Sequence, residues 1–352
     1  MTHFDMNERI VRYGELRPCK TAFIDAHTPG SDQKENFTVI GGGVSESKDQ
    51  HVHIQDTPGF NIGAAGQPPH CRNSLHSHRT AEVFFVLDSR WRFFWGRWGT
   101  AGEVLLEPGD IFSIPTGMFR GFENVGTDYG MIMAILGGDD AGGGVQWAPQ
   151  VIEDAAEHGL VLGDDGKLYD TKQGQALPGG VVRMPVLGES ELQQFKEPAV
   201  HEVVPACIAR FQDMLALADS GLPARVIGDG ALIDERPGFD VELLSRNSAP
   251  TDSSSSTRHQ VLMVMSGHWA LEWTDGRTVL APGDTCAIPP GHATCLYPSM
   301  SGAASLFRVT NTDDAAGPTR RADDHPAQGR IHGGRTHKGR STENHSSENH
   351  SS

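Results

Sequence analysis

The sequence predicts an all-β protein made of two closed antiparallel barrels, with short helices in the segment between them. One reason is an internal repeat, and the other is the abundance of short strands that end at glycine and proline turns. Four segments of the first half return in the same order in the second half. PGFN at 58–61 returns as PGFD at 237–240, Trp91 and Trp95 as Trp269 and Trp273, PGD at 108–110 as PGD at 282–284, and IPTG at 114–117 as IPPG at 288–291.

The predicted strands are short and rich in aromatic and β-branched residues, which favour a pleated, half-buried surface. In the first half, 82–87 (EVFFVL) and 91–95 (WRFFW) flank a polar hairpin turn at 88–90. In the second half, 260–265 and 268–273 flank Ser266 and Gly267. The pattern predicts that each half closes into its own barrel, whose interior can hold a small ligand.

Length and composition set the limits of the functional interpretation. A chain of 352 residues with 37% hydrophobic residues is long enough for two domains with separate cores. A formal charge of −16 argues against general binding of nucleic acid or of an anionic membrane. The five cysteines are odd in number and lack a CxxC pair, which is typical of reduced thiols. The first residues lack the apolar core of a signal peptide and no apolar run reaches membrane length, so we expect a cytoplasmic protein.

The chain divides into five parts in this interpretation. We expect an N-terminal arm (1–34), a first barrel (35–145), a connector (146–205), a second barrel (206–312) and a polar, disordered tail (313–352). The connector is predicted to hold a short helix at 149–158 ended by Gly159, a hairpin around Asp165 and Gly166, and a helical turn at 189–195.

One motif of the first barrel has the spacing of a metal site. His76, His78 and Glu82 all have even numbers, so in an extended segment their side chains point to the same face. Two imidazoles and one carboxylate are the ligand set favoured by non-haem Fe(II), and Mn, Ni, Co or Zn can compete for it. Surface or core histidines at the same spacing are the plain alternative.

These residues resemble the cupin family, whose motifs read G-x5-HxH-x3-E-x6-G and G-x5-PxG-x2-H-x3-N. The first motif gives His76, His78 and Glu82, but His70 and Ser89 stand where the family has glycine. The second gives Gly109, Pro115, Gly117 and Asn124, but Arg120 stands where the family has its fourth metal ligand. A guanidinium stays protonated and has no lone pair for a cation. The resemblance implies two cupin barrels of the double-stranded β-helix, or jelly-roll, type.

The repeat predicts that only the first barrel binds metal. Ser254, Ser256 and Gln260 take the positions of the three ligands, and Thr294 takes the position of Arg120. His259 and His292 lie nearby but out of register. We therefore expect the second barrel to be a structural, dimer-forming or pocket-closing partner.

The resemblance extends to bicupin ring-cleaving dioxygenases of the gentisate, salicylate and quercetinase types, and it implies a reaction. His76, His78 and Glu82 on iron would leave about three positions open, enough for O2 and a hydroxylated aromatic acid together. Arg120 would be catalytic and substrate-binding, since it could clamp a carboxylate or phenolate or stabilise charge on oxygen. Alternatively Arg120 faces away, neutralised by Glu103, Glu107 or Glu123, and His70, His51 or His53 completes the site.

Further substrate contacts are predicted for aromatic side chains. Trp91, Phe93 and Trp95 share one strand face, and with Phe84 they could stack on an aromatic substrate. The simpler interpretation is that they fill the barrel. Two other function classes stay open: an O2-independent metal enzyme such as a decarboxylase or sugar isomerase, and a non-catalytic binder of a small acid. We expect no nucleic-acid or membrane partner, and by family analogy a homodimer or homotetramer, with a second, smaller subunit left open.

Overall fold

The computed structural model describes residues 5–138, 145–250 and 252–312. The predicted disordered tail, with its histidines, lies outside these residues. An arm carrying the two-residue strand β1 (Ile10–Val11) leads into the first barrel. Its strands are β2 (Glu35–Ile40), β3 (Val52–Ile54), β4 (Phe60–Gln67), β5 (Arg72–Ser77), β6 (Glu82–Val86), β7 (Trp91–Trp95), β8 (Gly102–Leu106), β9 (Ile111–Ile114), β10 (Arg120–Asn124) and β11 (Gly130–Gly137).

The connector is partly helical, as the sequence predicts. The segment between the barrels contains β12 (Gln146–Trp147), α1 (Pro149–Glu157), β13 (Leu160–Leu162), β14 (Leu168–Asp170), α2 (Glu189–Leu192), α3 (Val200–Cys207), β15 (Ile208–Ala209) and α4 (Phe211–Ala218), so it runs past the expected boundary at residue 205. Gly159 follows α1 with φ of 92°, and β13 pairs with β14 as a hairpin, so both expectations are confirmed. Helices α3 and α4 were not predicted. In the described part of the chain, no helix combines the length and apolar character needed to cross a membrane.

The second barrel repeats the first with fewer strands. It consists of β16 (Ala224–Gly228), β17 (Ile233–Asp234), β18 (Phe239–Ser245), β19 (Gln260–Ser266), β20 (Trp269–Trp273), β21 (Gly276–Leu280), β22 (Thr285–Ile288), β23 (Thr294–Pro298) and β24 (Ser305–Asn311). The predicted strands at 82–87, 91–95, 260–265 and 268–273 match β6, β7, β19 and β20 to within one residue at each end.

Each barrel is a large sheet facing a smaller one. In the first barrel the large sheet has the strand order β15-β9-β6-β11-β4-β2-β3 and the small sheet has the order β12-β5-β10-β7-β8. In the second barrel the large sheet has the order β1-β22-β19-β24-β18-β16-β17 and the small sheet has the order β21-β20-β23. The two large sheets pack against each other, with Phe60 on Phe239 at 5.4 Å and Phe85 on Phe307 at 5.2 Å between ring centroids. This shared core holds the barrels together by apolar burial.

The barrels also exchange strands, a feature that the sequence repeat conceals. β1 precedes the first barrel but pairs with β22 of the second, while β15 precedes the second barrel but pairs with β9 of the first. Arg12 and the backbone amide of Tyr13 bond to Asp284, and Arg210 and the amide of Phe211 bond to Asp110 in the same way. The PGD aspartate of each barrel therefore anchors the segment that precedes the other.

Candidate metal centre

The three predicted ligands come together at the end of β5 and the start of β6. His76 lies in β5, where it pairs with Arg120 of β10 on one side and with Trp147 of β12 on the other. His78 follows β5, and Glu82 is the first residue of β6. All three side chains are buried. The sequence motif thus brings its donor atoms to one point because the chain turns back into the barrel between the histidines and the glutamate.

The donor atoms have the arrangement that one metal ion requires. One nitrogen or oxygen of each of His76, His78 and Glu82 lies within 4.8 Å of the others. Nε2 of His78 is 3.5 Å from Oε1 of Glu82. Nδ1 of His76 is 2.7 Å from the carbonyl oxygen of Ser74, and a proton shared there leaves Nε2 as the free donor. The residues therefore fit a divalent cation.

Arg120 lies beside the ligands with its charge already paired. Its side chain is buried, Nη1 donates to the backbone oxygen of His76 at 2.8 Å, and Nη2 donates to Oε2 of Glu82. The suggested neutralising partners Glu103, Glu107 and Glu123 are wrong, because they pair with Arg92 and Arg90 instead. Both terminal nitrogens are engaged, and only Nε is buried without a partner. The clamp on a substrate stays a prediction, whereas the contacts show Arg120 holding Glu82.

Burial and the charge of Arg120 together set the ionisation of His76 and Glu82. Burial lowers the pKa of His76 well below its ordinary value, and the positive charge of Arg120 lowers it further, so the imidazole is neutral and free to bind. Burial raises the pKa of Glu82, but the attraction of Arg120 and the hydrogen bond with His78 outweigh it, and the net shift is downward. His76 and Glu82 are thus held in the deprotonated form that metal binding needs.

A second group of buried charges supports His76 from behind. Lys34 and Asp25 form an ion pair, and both side chains are inaccessible to solvent. Nζ of Lys34 donates to Oδ1 of Asn73 at 2.8 Å, and the amide nitrogen of Asn73 is 3.4 Å from Nδ1 of His76. Oδ2 of Asp25 accepts from the backbone of Ser74 at 3.0 Å, the residue whose carbonyl orients His76. We name Asp25, Lys34 and Asn73 the supporting triad.

The sequence analysis missed the supporting triad. Asp25 and Lys34 belong to the arm and carry no motif, since a Lys and an Asp nine residues apart are ordinary surface residues in most chains. The one available signal was Asn73, an amide three residues before His76 in the same strand.

The half-buried carboxylate of Glu46 tethers three segments beside the ligands. Glu46 accepts from the backbone of Ile24 at 2.9 Å and from the indole nitrogen of Trp147 at 2.6 Å. The Trp147 ring lies 5.3 Å from the ring of His76. Burial raises the pKa of Glu46 to about 7. The arm, the loop after β2 and the connector therefore meet at one titratable group.

The ligands open into a cavity of the first barrel. Its space, including the opening to solvent, is about 610 Å³. Besides the three ligands, the lining comprises Cys19, Ala22, Phe23, Asn36, Phe37, Thr38, Gly43, Val44, Ser45, Gly63, Ala64, Ala65, Asn73, Phe84, Phe122, Ala134 and Leu136. None of these described residues is cationic. The cavity is therefore mainly apolar, with the metal ligands as its one charged wall.

The predicted aromatic contacts divide between the cavity and the core. Phe84 lines the cavity. Trp91, Phe93 and Trp95 are fully buried in the packed interior of the barrel and are not among the lining residues. Phe122, Phe23 and Phe37 supply the other aromatic surface. The stacking role of the two tryptophans and Phe93 stays a prediction, and their placement favours the simpler interpretation that they fill the barrel.

The alternative histidine ligands lie outside the ligand cluster. His53 uses Nδ1 on the oxygen of Thr38 at 2.8 Å and Nε2 on the amide of Arg17 at 3.2 Å, and His51 packs against its ring. His70 and Ser89 have φ of 64° and 63°, the two positive values of non-glycine residues in the described chain. Both stand where the cupin motif has glycine, so the backbone keeps the left-handed turn although the glycine is gone.

The second barrel keeps the frame of the site without its ligands. Ser254 pairs with Thr294 as His76 pairs with Arg120, and Gln260 begins β19 as Glu82 begins β6. Ser254, Gln260 and Thr294 line a smaller space of about 300 Å³. In the described residues, the group around His76 is the one cluster of three metal-binding side chains.

Comparisons with known proteins identify the fold. No family profile and no curated protein matches the sequence. Among solved structures, the Lactobacillus farciminis oxalate decarboxylase formate complex has a TM-score of 0.51 at 11% identity, over 88% of this chain and 87% of that one. A variant of the B. subtilis oxalate decarboxylase has a TM-score of 0.52 at 12% identity, over 88% and 78%. Vicilin of Corylus avellana (hazelnut) gives 0.48 at 13%, over 87% and 85%. The chain has the two-barrel, jelly-roll cupin fold.

Proposed function

We propose that this protein is a metal-dependent dioxygenase that cleaves the ring of a small hydroxylated aromatic acid, or of a related gentisate-, salicylate- or hydroquinone-like compound, in its first barrel. His76, His78 and Glu82 would hold one divalent ion, with Fe(II) as our first choice and Mn, Ni, Co or Zn as alternatives. One observation carries the proposal: the fourth position of the family site holds Arg120, which bonds to Glu82 rather than offering a ligand. Three protein ligands leave room for both O2 and substrate.

The residues of the chain prepare the centre in three ways. Arg120 occupies Oε2 of Glu82, so Oε1, the oxygen nearer His78, is the one free to bind. Nδ1 of His76 donates to the carbonyl oxygen of Ser74 and leaves Nε2 available, and Asp25 of the supporting triad holds the backbone of Ser74. Phe84 and Phe122 present apolar surface that keeps water away from a bound ring. The metal, when bound, would supply redox chemistry and a positive charge for the oxygens of the substrate.

The test combines metal analysis with an oxygen electrode. Protein reconstituted with Fe(II) is screened with hydroquinones, catechols, aminophenols, gentisate, salicylates and flavonols, and the products are examined for ring opening. Consumption of O2 that needs both iron and an aromatic compound supports the proposal. Turnover that persists without O2, or equally with Zn, would show an O2-independent enzyme such as a decarboxylase. Binding well below one metal equivalent per chain would show a non-catalytic binder.

Other expectations remain proposals at this stage. They are the cytoplasmic location, the homodimer or homotetramer, the possibility of a smaller second subunit, and the lack of a nucleic-acid or membrane partner. Sedimentation of the purified chain and co-purification from its natural source test the assembly.

A further inference from the structure

We propose, on the basis of the proposed function, that the substrate is an aromatic diol with an uncharged hydrogen-bond donor at the end of the ring away from the metal ligands. The diol oxygens would face His76, His78 and Glu82. The ring would lie over a floor formed by Gly63, Ala65 and Ala134, and the donor would meet the side chain of Asn36. Three observations carry this inference: the cleared floor, its filled counterpart in the second barrel, and an unpaired buried acceptor.

The floor is formed by small residues on adjacent strands. Gly63 of β4 pairs with Ala134 of β11, which in turn pairs with Phe84 of β6, and Ala65 lies two residues beyond Gly63 on the same face. All four residues line the cavity. A Cβ atom placed on Gly63 would meet only the carbonyl oxygen of Phe37, at 3.4 Å. The space above Gly63 is therefore open rather than packed.

The second barrel has large side chains at the same positions. The pairing of Glu242 with Arg308 matches that of Gly63 with Ala134, and the pairing of Leu244 with Leu306 matches that of Ala65 with Ile132. Arg308 and Glu242 form an ion pair at 2.7 Å, so this pair occupies the level that is open in the first barrel. The first barrel therefore combines its metal ligands with a cleared floor, and the second barrel has neither.

The wall of the cavity away from Glu82 carries an unsatisfied acceptor. Asn36 of β2 pairs with Ala65, and its Oδ1 atom is buried without a hydrogen-bond partner. A buried acceptor left unpaired costs about 1–3 kcal/mol, which a ligand donor would recover. Strands β6, β11, β4 and β2 are consecutive in the sheet, and Asn36 is level with Val86, four residues from Glu82. The two residues are therefore offset by about 14 Å across the strands and about 13 Å along them. The side chains of Glu82 and Asn36 both point into the cavity and shorten this offset, and the metal with a substituted ring would fill the remaining gap.

The charges around the cavity exclude an ionised group at that end. The two buried cations near the ligands are both committed, Arg120 to Glu82 and Lys34 to Asp25. Within the described lining there is no cation to receive a carboxylate. An anion over the floor would lose its hydration without gaining a partner. A phenol, alcohol or amide donor meets the acceptor of Asn36 without that cost.

Three probes with the same metal-binding diol and different far ends test the inference. We would titrate 4-ethylcatechol, 3,4-dihydroxybenzyl alcohol and 3,4-dihydroxybenzoate into Zn-loaded protein under argon, by calorimetry. The alcohol should bind about 5-fold more tightly than the ethyl compound, the value of one hydrogen bond of ~1 kcal/mol. The benzoate should bind most weakly. Asn36→Ala should remove the advantage of the alcohol and leave the ethyl compound unchanged, and Asn36→Lys should favour the benzoate.

Gly63→Val tests the floor itself. A β-branched residue suits a strand and would fill the open space, so all three probes should lose binding while the metal content stays at one equivalent. Gly179→Val, at an exposed position of the connector, is the control and should bind like the parent protein.

Several outcomes would overturn the inference. They are failure of all three probes to bind the metal-loaded protein, benzoate binding as tight as that of the alcohol, or an equal loss for every probe in Asn36→Ala. These results leave the proposed function standing if the iron-loaded protein still consumes O2 with another aromatic compound. Loss of the proposed function itself would instead appear as absent metal or absent O2 uptake.

Discussion

The two barrels share one backbone plan and differ in what they enclose. Both anchor a segment of chain on a PGD aspartate, and in both the position of His76 or Ser254 pairs with the start of the strand at Arg120 or Thr294. The first barrel surrounds a buried cluster of two histidines and a glutamate. At the matching positions, the second has Ser254, Ser256 and Gln260. The comparison teaches that turns, anchors and core build the barrel, and that the ligand positions are free to change.

The difference reaches beyond the ligands to the interior. Where the first barrel has glycine and alanine, the second has an ion pair and a leucine. Since protein interiors are closely packed, an open floor in one barrel and a filled floor in its repeat indicate a site that needs room. The same contrast can be tested by matched changes in the two halves.

The largest expected effect is the loss of metal from the first barrel. Replacement of His76, His78 or Glu82 by Ala removes a ligand and should weaken Fe(II) or Zn binding by at least about 100-fold. Ser254→Ala and Gln260→Ala, at the matching positions, should leave the metal content unchanged. Inductively coupled plasma analysis after dialysis measures both. Equal metal content in all the variants would refute the site.

Next in size is the effect of Arg120 on stability. Arg120→Ala leaves Glu82 buried without its partner, so unfolding of the metal-free protein should become easier by about 3–5 kcal/mol. A bound divalent ion also neutralises Glu82, so the deficit should shrink when metal is added. Thr294→Ala, at the matching position, should change stability by less than ~0.5 kcal/mol. Urea titrations with and without metal measure this loss of unfolding free energy. A deficit that metal does not reduce would argue against a shared role at Glu82.

The supporting triad should affect metal affinity more than folding when its charges are removed together. Asp25→Asn with Lys34→Met keeps the interior neutral but removes the contacts that orient Asn73 and Ser74. We expect metal binding to weaken about 10-fold, with a changed visible spectrum of the Co(II) form. The matched pair Arg12→Met with Asp284→Asn breaks an ion pair away from the ligands. It should alter stability but not the Co(II) spectrum; the same spectral change in both pairs would contradict the triad's role.

The smallest expected effect is a pH dependence that arises from Glu46. Its pKa is raised by burial from 4.5 to about 7, so the folded protein binds this proton more tightly than the unfolded chain does. The stabilisation from this protonated carboxyl is complete below pH 4.5 and is lost as the pH rises to about 7. Above about pH 7 this group makes no further change to the stability. Glu46→Gln should flatten the stability curve between about pH 5 and pH 7 in urea titrations. Glu153→Gln, on the exposed face of α1, should keep the slope, and a slope that survives in Glu46→Gln would exclude this group.

Prediction from the sequence succeeded where the pattern is local or repeated. The strand at Trp91–Trp95 and the helix that begins at Pro149 follow from residue type and turn chemistry. His76, His78 and Glu82 were found because a short motif carries them within seven residues. The sequence left open whether Arg120 lies beside them or faces away, and its bond to Glu82 was not foreseen because the partner of a buried charge is set by packing.

The sequence by itself determined two barrels, one metal motif and the asymmetry between the halves, because repeats, turns and ligand spacing are properties of neighbouring residues. Only the tertiary structure decided that β1 and β15 cross between barrels, that Asp25 and Lys34 stand behind His76, and that Asn36 faces an open floor. Those relations join residues that are distant along the chain, and their energies depend on burial and partner geometry. Neither burial nor partner geometry can be predicted from the spacing of residues in the sequence.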